Sequence, residues 1–358
     1  MGHTARNLAK KSFGFEIDID AWVKQHAPWC KKSDKALILA AYGLVDNQVL
    51  LNKDLCIAKI LGTFTLDINL LIAGLVYESF SKNKINSLTT EQVLGFTVNK
   101  LVLGAQKIDQ MLELDLRKTY RDEVGTEQYS RLESLLTPTE NIQIILLKLA
   151  IQLYTMRTST NAAEKTKLSL AHQTQQLYVP LSKRLNIGVV SWQLEDLAFK
   201  FLHRRVYKKI ATLLDERRVE RENYIVKIKK QLEECLKLYG IEGKVCGRAK
   251  HIYSIWNKMQ RKMADYNAIY DVHVLRVIVP NVKACYSALV VVHTFWQLVP
   301  QEFDDYISNP KSNGYKSLHT TVIGPEEKIL EVQIRTTQMH QQAESGVAAH
   351  WHYKDGST

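Results

Sequence analysis

The periodicity of apolar residues changes near residues 239–243, and this change constrains the fold of the chain more than any other feature. Over residues 1–240 prolines are few, and apolar residues recur at three- and four-residue spacing, as at Ile142, Ile145 and Leu149. After the change, β-branched runs bounded by turn residues alternate with shorter helical patterns. The sequence therefore predicts an all-helical region followed by a mixed α/β region, an α+β multidomain chain.

The mixed region predicts three strands and three helices. The strands are expected at 271–279, 315–323 and 328–336, and the helices at 249–264, 282–298 and 337–352. The last two strands are joined by Gly324–Glu327, a segment that indicates a hairpin. We therefore expect these two strands to be neighbours in one sheet.

Composition and charge narrow the class of protein. The chain has 358 residues, of which 46% are hydrophobic and 24% charged, so it can bury a large core and is not mainly disordered. The 48 Lys and Arg against 37 Asp and Glu give a net charge of +11, which favours a polyanionic ligand such as a nucleotide, a nucleic acid or an anionic membrane surface. No apolar run is long enough to span a membrane, and the five scattered cysteines form no CxxC pair. We therefore expect a cytoplasmic protein with neither disulfides nor a zinc site, and with no membrane partner.

Three polar residues alternate with aliphatic ones along the last predicted strand. Glu331, Gln333 and Arg335 fall on one face, and Val332 and Ile334 fall on the other. This polar face fits a functional site and an ordinary solvent-facing side equally well.

A second carboxylate, Asp271, opens the first predicted strand. Mg²⁺ takes oxygen ligands, and one or two carboxylates usually share it with substrate phosphates. Asp271 and Glu331 on neighbouring strands would supply such a pair; the alternative interpretation is two unrelated acidic residues, which are common in any sequence.

Positive charge gathers at the start of the first helix of the mixed region. The residues are Arg248, Lys250, Ser254 and Lys258. The last three follow one another at four-residue spacing, so one helix face would present two ammonium groups and a hydroxyl, which suits a polyphosphate. A solvated basic helix explains the same residues and is favoured if they are taken alone.

Residues 309–320 indicate a loop that enters a strand. Pro310 and Asn313–Gly314 mark a turn. Tyr315 follows the turn and is placed to stack on a purine, with packing in a core as the rival interpretation. His319 is placed either to contact phosphate or to pack.

Six segments occur in an order that resembles the synthetase domain of the RelA/SpoT homologue family, the (p)ppGpp synthetases. They are RAKHIYSIWNK from Arg248, Tyr270–Asp271 with Arg276, EFDDY from Glu302, NPKSNGYKSLHTT from Asn309, EVQIRT from Glu331, and AAHW from Ala348. The resemblance covers residues 241–356 and is specific, because several independent motifs recur in order. It implies a nucleotidyltransferase-like mixed α/β fold for this region.

The resemblance implies a 3′-pyrophosphotransferase, which moves the β,γ-pyrophosphate of ATP to the ribose 3′-hydroxyl of GDP or GTP with the help of Mg²⁺. It implies that Asp271 and Glu331 bind Mg²⁺ and that Glu331 helps to deprotonate the 3′-hydroxyl. Such a transfer depends on positioning and on charge neutralisation, which these residue types supply.

The same resemblance assigns the remaining side chains to two nucleotides. For ATP, it implies adenine contacts from Arg248 and Arg276 and phosphate contacts from Lys250, Ser254 and Lys258. For GDP or GTP, it implies guanine stacking on Tyr315 near Lys311, Asn313, His319 and Gln333. Asp271 and Arg276 are five residues apart and fall on opposite faces of a regular strand, so we expect a bulge or an arginine that reaches round the edge.

The acidic residues Glu302, Asp304 and Asp305 resemble the form of this segment found in the monofunctional RelA branch of the family. Bifunctional members carry a basic version instead. The acidic form implies that the acceptor is selected, with GDP preferred over GTP. The direction is reasonable because GDP brings one phosphate fewer to an acidic cluster.

The helical half resembles the HD hydrolase domain of the same family, with its metal ligands replaced. Ile151 in KLAIQLYTMRT stands where a metal-binding aspartate is expected, and Tyr77–Glu78 stand where a His-Asp pair is expected. A hydrolase of this kind needs imidazoles and carboxylates around Mn²⁺. We therefore expect an HD-like pseudo-hydrolase domain at 1–195, connecting helices at 196–240 and the synthetase domain at 241–358.

The resemblance also implies partners. (p)ppGpp is the expected product and a candidate regulator, whereas the ribosome and uncharged tRNA are expected to act only through C-terminal regions that this chain lacks. Two alternatives stay open: a catalytically silent, basic nucleotide- or RNA-binding module, and a bifunctional enzyme that keeps hydrolase activity. Asp271, Glu331, Arg248 and Tyr315 together count against the first alternative. Ile151 counts against the second.

Overall fold

The structure is a computed structural model that describes residues 18–118, 142–216, 218–249, 251–262 and 273–346. The described chain divides into two units, one that ends at Ser182 and one that runs from Lys183 to Gly346. The domain boundaries expected at residues 195 and 240 stay predictions, although the division between the units falls earlier than residue 195. No helix among the described residues is long and apolar enough to cross a membrane.

The first unit is helical, as the sequence predicts. Its helices are α1 (Ile19–His26), α2 (Asp34–Leu44), α3 (Gln48–Gly62), α4 (Ile68–Ser81), α5 (Ser87–Leu94), α6 (Phe96–Lys118), α7 (Ile142–Thr158), α8 (Glu164–Gln173) and α9 (Val179–Arg184), the last of which spans the division between the units. Several helix starts are fixed by aspartate or asparagine side chains that accept first-turn N–H groups, namely Asp18, Asn47, Asp67 and Asn86. The helix α4 is buried along most of its length, and α3 packs against it.

The second unit combines helices with a six-stranded sheet. Its helices are α10 (Gly188–Leu202), α11 (Arg204–Glu216), α12 (Arg218–Leu238), α13 (Ile252–Lys262), α14 (Val282–Phe295) and α15 (Thr337–Ser345). Its strands are β1 (Lys244–Ala249), β2 (His273–Val279), β3 (Gln297–Leu298), β4 (Asp304–Asp305), β5 (Leu318–Ile323) and β6 (Ile329–Thr336). The mixed α/β region predicted from the sequence is therefore confirmed.

The sheet has the strand order β1-β2-β6-β5-β3, and β4 pairs with the first two residues of β5, Leu318 and His319. The strands β2 and β6 are parallel, whereas the other pairs are antiparallel. Because side chains alternate along a strand, paired residues share a face of the sheet. One face of the central strands is apolar, and the other carries the polar residues described below.

The apolar face of the sheet forms the main core of the second unit. Leu275 and Val277 of β2 and Val332 of β6 are fully buried there, as are Ile228 of α12 and Val292 of α14. The two helices thus cover this face, and burial of its aliphatic side chains stabilises the unit. A smaller core joins α10, α11 and α13 through Phe199, Ile210, Ile255 and Met259.

The predicted strands and helices of the mixed region agree with the observed ones within a few residues wherever the chain is described. Residues 263–272 and those from 347 onward lie outside the described residues. The strands β1, β3 and β4 are not among those that the sequence pattern predicts. The strand β1 contains Gly247, where an added Cβ would lie 2.5 Å from the Ile225 Cγ2 of α12. Close packing of α12 therefore requires glycine here, and because glycine is rare in strands the sequence pattern does not indicate one.

Candidate active site

The candidate active site lies on the polar face of the sheet, away from α12 and α14. Glu331, Gln333 and Arg335 alternate along β6 with Val332 and Ile334, which are fully buried on the other face. The three polar residues therefore lie on one face, as the sequence predicts. Gln333 is paired in register with a residue of each neighbouring strand, which brings further polar side chains to this face.

Those neighbours are Arg276 of β2 and His319 of β5. Arg276 thus shares the polar face with Glu331 and needs no bulge within β2 to reach it. Asp271 lies outside the described residues, so its face stays a prediction. In β1, Arg248 is paired in register with Val274, and Lys250 lies outside the described residues.

Glu331 is partly exposed, and one of its carboxylate oxygens accepts a hydrogen bond from Gln333 Nε2 at 2.8 Å. The contact fixes the carboxylate without covering it. A carboxylate in this setting supplies a hard oxygen donor for a divalent cation such as Mg²⁺ and an acceptor for a proton. Among the described residues, three or more His, Cys, Asp or Glu side chains do not gather into a metal-binding group.

His319 is kept neutral by its surroundings. Burial lowers its pKa to about 4, and Lys311 acts in the same direction, whereas the negative charge of Glu331 opposes the shift. Its Nε2 shares a hydrogen bond of 2.8 Å with the Tyr315 hydroxyl. A neutral imidazole can orient that hydroxyl and adds no positive charge at physiological pH.

Tyr315 belongs to the polar side of the site and is outside the two cores of the second unit. It is partly exposed, and its ring stands in edge contact with Tyr306, at a centroid distance of 6.2 Å. The Lys311 ammonium lies 4.3 Å from the Tyr306 ring centroid and 5.6 Å from that of Tyr315. The two rings and the ammonium form an amphipathic surface that suits a purine with attached phosphates.

The loop before Tyr315 is shaped by its own side chains. The Asn313 Oδ1 accepts the Tyr315 N–H at 3.2 Å, while its Nδ2 donates to the Lys183 carbonyl at 3.2 Å. Gly314 adopts a φ of +76°, which favours glycine. Asn313, predicted to contact the acceptor nucleotide, is thus engaged in fixing the position of Tyr315.

The helix α13 presents two of the predicted ATP contacts. Ser254 and Lys258 lie one turn apart and are partly exposed, whereas Ile255 and Met259 lie in the smaller core. The Lys258 ammonium lies 3.5 Å from a carboxylate oxygen of Glu302. The interpretation as a merely solvated basic helix is therefore incomplete, because α13 has one face in a core and a lysine paired with the acidic segment.

The three acidic residues 302, 304 and 305 have three different environments. Glu302 faces Lys258 of α13. Asp304 is exposed and is paired in register with His319. Asp305 is structural: burial opposes its charge, yet hydrogen bonds from Ser308 and from its other donors hold its pKa below the usual range. Those other donors are the Ile307 N–H and the Tyr286 hydroxyl.

A charged cluster that the sequence pattern does not predict lies at the end of the polar face. The Glu344 carboxylate of α15 lies 3.1 Å from Arg276 and 3.1 Å from Arg335. His340, one turn earlier on α15, has a pKa lowered to about 4 by burial and by the two arginines, so it is neutral beside them. Arg335 was visible in the alternation of β6, but nothing in the sequence indicated Glu344 as its partner.

In the first unit, the positions at which hydrolase metal ligands would be expected hold residues that pack or pair with one another. Ile151 is buried in α7, and the buried Tyr77 donates its hydroxyl hydrogen to Asp109. The Lys148 ammonium pairs with the same Asp109 carboxylate. Burial raises the pKa of Tyr77 and lowers that of Lys148. Tyr77, Lys148 and Asp109 therefore form a polar network in which the tyrosine and the lysine are buried and the aspartate is partly exposed.

Comparisons with known proteins agree with this organisation. Residues 247–358 match the family model described as the region found in RelA / SpoT proteins, and residues 37–188 match that of the HD domain. The chain is 37% identical over 350 residues to the GTP pyrophosphokinase of Escherichia coli (strain K12), and the matched region covers 96% of this chain and 47% of that protein. It is 38% identical over 305 residues to the GTP pyrophosphokinase of Photobacterium angustum, and the matched region covers 84% of this chain and 40% of that protein.

The chain thus spans about half the length of the curated relatives that it matches. Among solved structures, the small alarmone synthetase 1 of Bacillus subtilis bound to its product pppGpp is 26% identical. That match covers 42% of this chain and 84% of the other, with a TM-score of 0.32, which is too low to bear on the function.

Proposed function

This chain belongs to the RelA/SpoT homologue family, and from that membership we propose that it transfers the β,γ-pyrophosphate of ATP to the ribose 3′-hydroxyl of GDP or GTP. The observation that carries the proposal is the position of Glu331. It lies on the strand between β2, which borders the arginine side of the polar face, and β5, which follows the Tyr315 loop. A carboxylate between two proposed nucleotide-binding surfaces suits group transfer from one nucleotide to the other.

Glu331 is the proposed general base of the reaction. It takes the proton of the ribose 3′-hydroxyl while the 3′-oxygen attacks the β-phosphorus of ATP. The bond between the β-phosphorus and the oxygen that bridges it to the α-phosphate breaks, and AMP leaves. The hydrogen bond from Gln333 keeps the carboxylate oriented during this step.

Mg²⁺ fits the chemistry of this site, because Glu331 offers a partly exposed carboxylate on a polar face. We propose Glu331 and Asp271 as its protein ligands. When bound, the ion would neutralise phosphate charge that develops during transfer.

The two nucleotides are proposed to occupy opposite sides of Glu331. On the ATP side, the proposed contacts are Arg248, Lys250, Ser254, Lys258 and Arg276. On the acceptor side, the proposed contacts are Tyr315, Lys311, Asn313, His319 and Gln333. Arg276 is paired with Glu344, so stacking on adenine would require it to exchange that partner or to act as part of the pair.

We further propose that GDP is preferred over GTP and that the HD domain is an inactive hydrolase. The exposed carboxylate of Asp304 near His319 supports the first proposal, since an additional acceptor phosphate would meet its negative charge. Ile151 and the buried Tyr77 support the second, because neither side chain can ligate Mn²⁺ as a carboxylate or an imidazole does.

The cellular setting is also proposed from family membership. We propose a cytoplasmic enzyme of the stringent response, with (p)ppGpp as its product and a candidate regulator. The ribosome and uncharged tRNA would act through regions beyond those in this chain. The division into a pseudo-hydrolase at 1–195, connecting helices at 196–240 and a synthetase at 241–358 stays part of the same proposal.

The test is one reaction with Mg²⁺, γ-labelled ATP and either GDP or GTP, followed by incubation of purified ppGpp with the protein and Mn²⁺. Label in ppGpp, more from GDP than from GTP, and no loss of ppGpp with Mn²⁺ are expected. No label from a protein that binds ATP would contradict the proposal and favour a silent nucleotide-binding module. Degradation with Mn²⁺ would identify a bifunctional enzyme instead.

A further inference from the structure

The helix α13 begins after a histidine instead of after one of the usual capping residues. The His251 carbonyl accepts the Ile255 N–H at 3.1 Å, so His251 occupies the N-cap position. Histidine is not among the residues that usually cap helices, which are serine, threonine, aspartate and asparagine. The first-turn N–H groups of a helix have no acceptor within the helix, so α13 needs one from elsewhere.

Asp196 of the neighbouring helix α10 supplies that acceptor. Its Oδ1 accepts the Tyr253 N–H at 3.0 Å. Its Oδ2 accepts a hydrogen bond from the Tyr207 hydroxyl of α11 at 3.2 Å, which orients the carboxylate. One side chain thus links α10, α11 and the start of α13, and its negative charge also suits the N-terminal end of the helix dipole.

A second contact from α10 acts at the same place. Trp192 lies one turn before Asp196, and its ring stacks on His251 with centroids 3.6 Å apart and planes 4° from parallel. Residues four apart share a helix face, so Trp192 and Asp196 reach α13 together. The backbone and the cap residue of the helix start are therefore both fixed by α10.

The position of this helix start matters for the proposed ATP contacts. Ser254 directly follows Tyr253, and Lys258 lies one turn further along. On the adjacent face of the helix, Ile255 packs in the core with Phe199 of α10. A shift at Tyr253 would therefore move the hydroxyl and the ammonium relative to the polar face of the sheet.

We propose that Asp196 is a positioning residue for ATP, which acts by fixing the start of α13 so that Ser254 and Lys258 meet the phosphates. This inference rests on the proposed function, because it takes these two side chains as ATP contacts. It assigns to Asp196 no contact with either nucleotide. Pyrophosphoryl transfer is sensitive to such positioning, since the donor must be aligned with the attacking oxygen.

The test compares Asp196→Ala with Asp196→Asn and with a matched control, Asn281→Ala. Asn281 accepts the Ala284 N–H at 2.9 Å and caps α14, which packs on the apolar face of the same sheet. The measurements are KM for ATP, KM for GDP, kcat, thermal unfolding, and the Kd of α,β-methylene ATP by calorimetry. The last measurement needs no turnover.

We expect Asp196→Ala to raise the KM for ATP and the Kd of the analogue about 10-fold, which corresponds to loss of a helix cap. The KM for GDP should stay within about twofold, because Asp196 holds the start of α13 and not the loop that carries Tyr315. Asp196→Asn keeps an oxygen for the Tyr253 N–H and should restore most of the ATP affinity. Asn281→Ala should lower the unfolding temperature and leave both KM values unchanged.

Tyr207→Phe provides a milder variant in case Asp196→Ala folds poorly. It removes the hydrogen bond that orients the carboxylate, and we expect a smaller rise of the ATP Kd in the same direction. Equal rises of both KM values, or an Asn281→Ala variant that also loses ATP affinity, would overturn the inference. So would an Asp196→Asn variant as impaired as Asp196→Ala. Absence of synthesis by the unaltered chain would contradict the proposed function instead, and analogue binding would still test this inference.

Discussion

The two units use their carboxylates in different ways. In the helical unit, Asp109 accepts hydrogen bonds from the buried Tyr77 hydroxyl and from the buried Lys148 ammonium. In the sheet unit, Glu331 is partly exposed on a polar face and is oriented by the Gln333 amide. Both carboxylates are partly exposed, so the difference lies in their partners: Asp109 neutralises a buried ammonium and so contributes to folding, whereas Glu331 accepts a hydrogen bond from a neutral amide and is proposed to act on a ligand.

The largest effect is expected for substitution of Glu331, which should change catalysis without changing stability. Glu331→Gln should reduce kcat for synthesis by about 10²–10⁴-fold, because an amide can neither accept the 3′-hydroxyl proton nor bind Mg²⁺ as well. The free energy of unfolding should change little, since the amide keeps a hydrogen-bonding partner for Gln333. Asp271→Asn should reduce kcat to a similar extent, because it removes the second proposed Mg²⁺ carboxylate. Normal pyrophosphate transfer by either variant would contradict the assignment of metal ligands.

The complementary change in the helical unit is Asp109→Asn. It should lower the free energy of unfolding of that unit by about 2 kcal/mol, because the buried Lys148 loses its charged partner. The measurement is urea unfolding followed by circular dichroism. Asp20→Asn is the matched control, because Asp20 pairs with Lys35 at an exposed site where loss of an ion pair costs well under about 1 kcal/mol. Equal losses in the two variants would break the comparison.

These contrasts also show what the sequence reveals and what it does not. The alternation of Glu331, Gln333 and Arg335 was visible because a strand period of two is local. The partners of polar residues were not visible, because Asp196 caps a helix that begins 56 positions later along the chain, at Ile252. Glu344 likewise reaches Arg276 from a separate element. Local patterns thus predicted the faces of the site, whereas tertiary packing determined which side chains meet.

A smaller effect, on the KM for GDP, is expected at Tyr315. Its counterpart in the helical unit is Tyr77, whose hydroxyl is also hydrogen-bonded. Tyr315→Ala should raise the KM for GDP about 10-fold through loss of base stacking, while ATP binding is largely kept. Tyr315→Phe keeps the ring and loses only the bond to His319, so its KM should rise far less. The buried Tyr77 should behave differently, because Tyr77→Phe is expected to affect stability alone. An unchanged KM for GDP in Tyr315→Ala would indicate that the ring has only a packing role.

The smallest effects are expected in the acidic segment. Glu302→Gln should lower the KM for ATP by about fivefold or less, because Lys258 loses a partly exposed partner that competes with phosphate. Asp304→Asn should leave the KM for ATP unchanged and raise the use of GTP relative to GDP, since Asp304 is exposed beside His319 on the acceptor side. The measurements are both KM values and the ratio of kcat/KM for the two acceptors.

Reversal of both charges, Glu302→Arg with Asp304→Lys, should shift the acceptor preference toward GTP, because the added phosphate then meets positive charge. If Glu302 acts on the ATP side and Asp304 on the acceptor side, Asp304→Lys alone should reproduce most of that shift. A shift that appears only with Glu302→Arg would mean that acceptor choice is made through Lys258 and α13. An unchanged ratio in the double variant would separate the acidic segment from selectivity altogether. In that case Glu302 and Asp304 would have a structural role like that of Asp305, whose carboxylate accepts hydrogen bonds from the Ser308 and Tyr286 hydroxyls and fixes the loop.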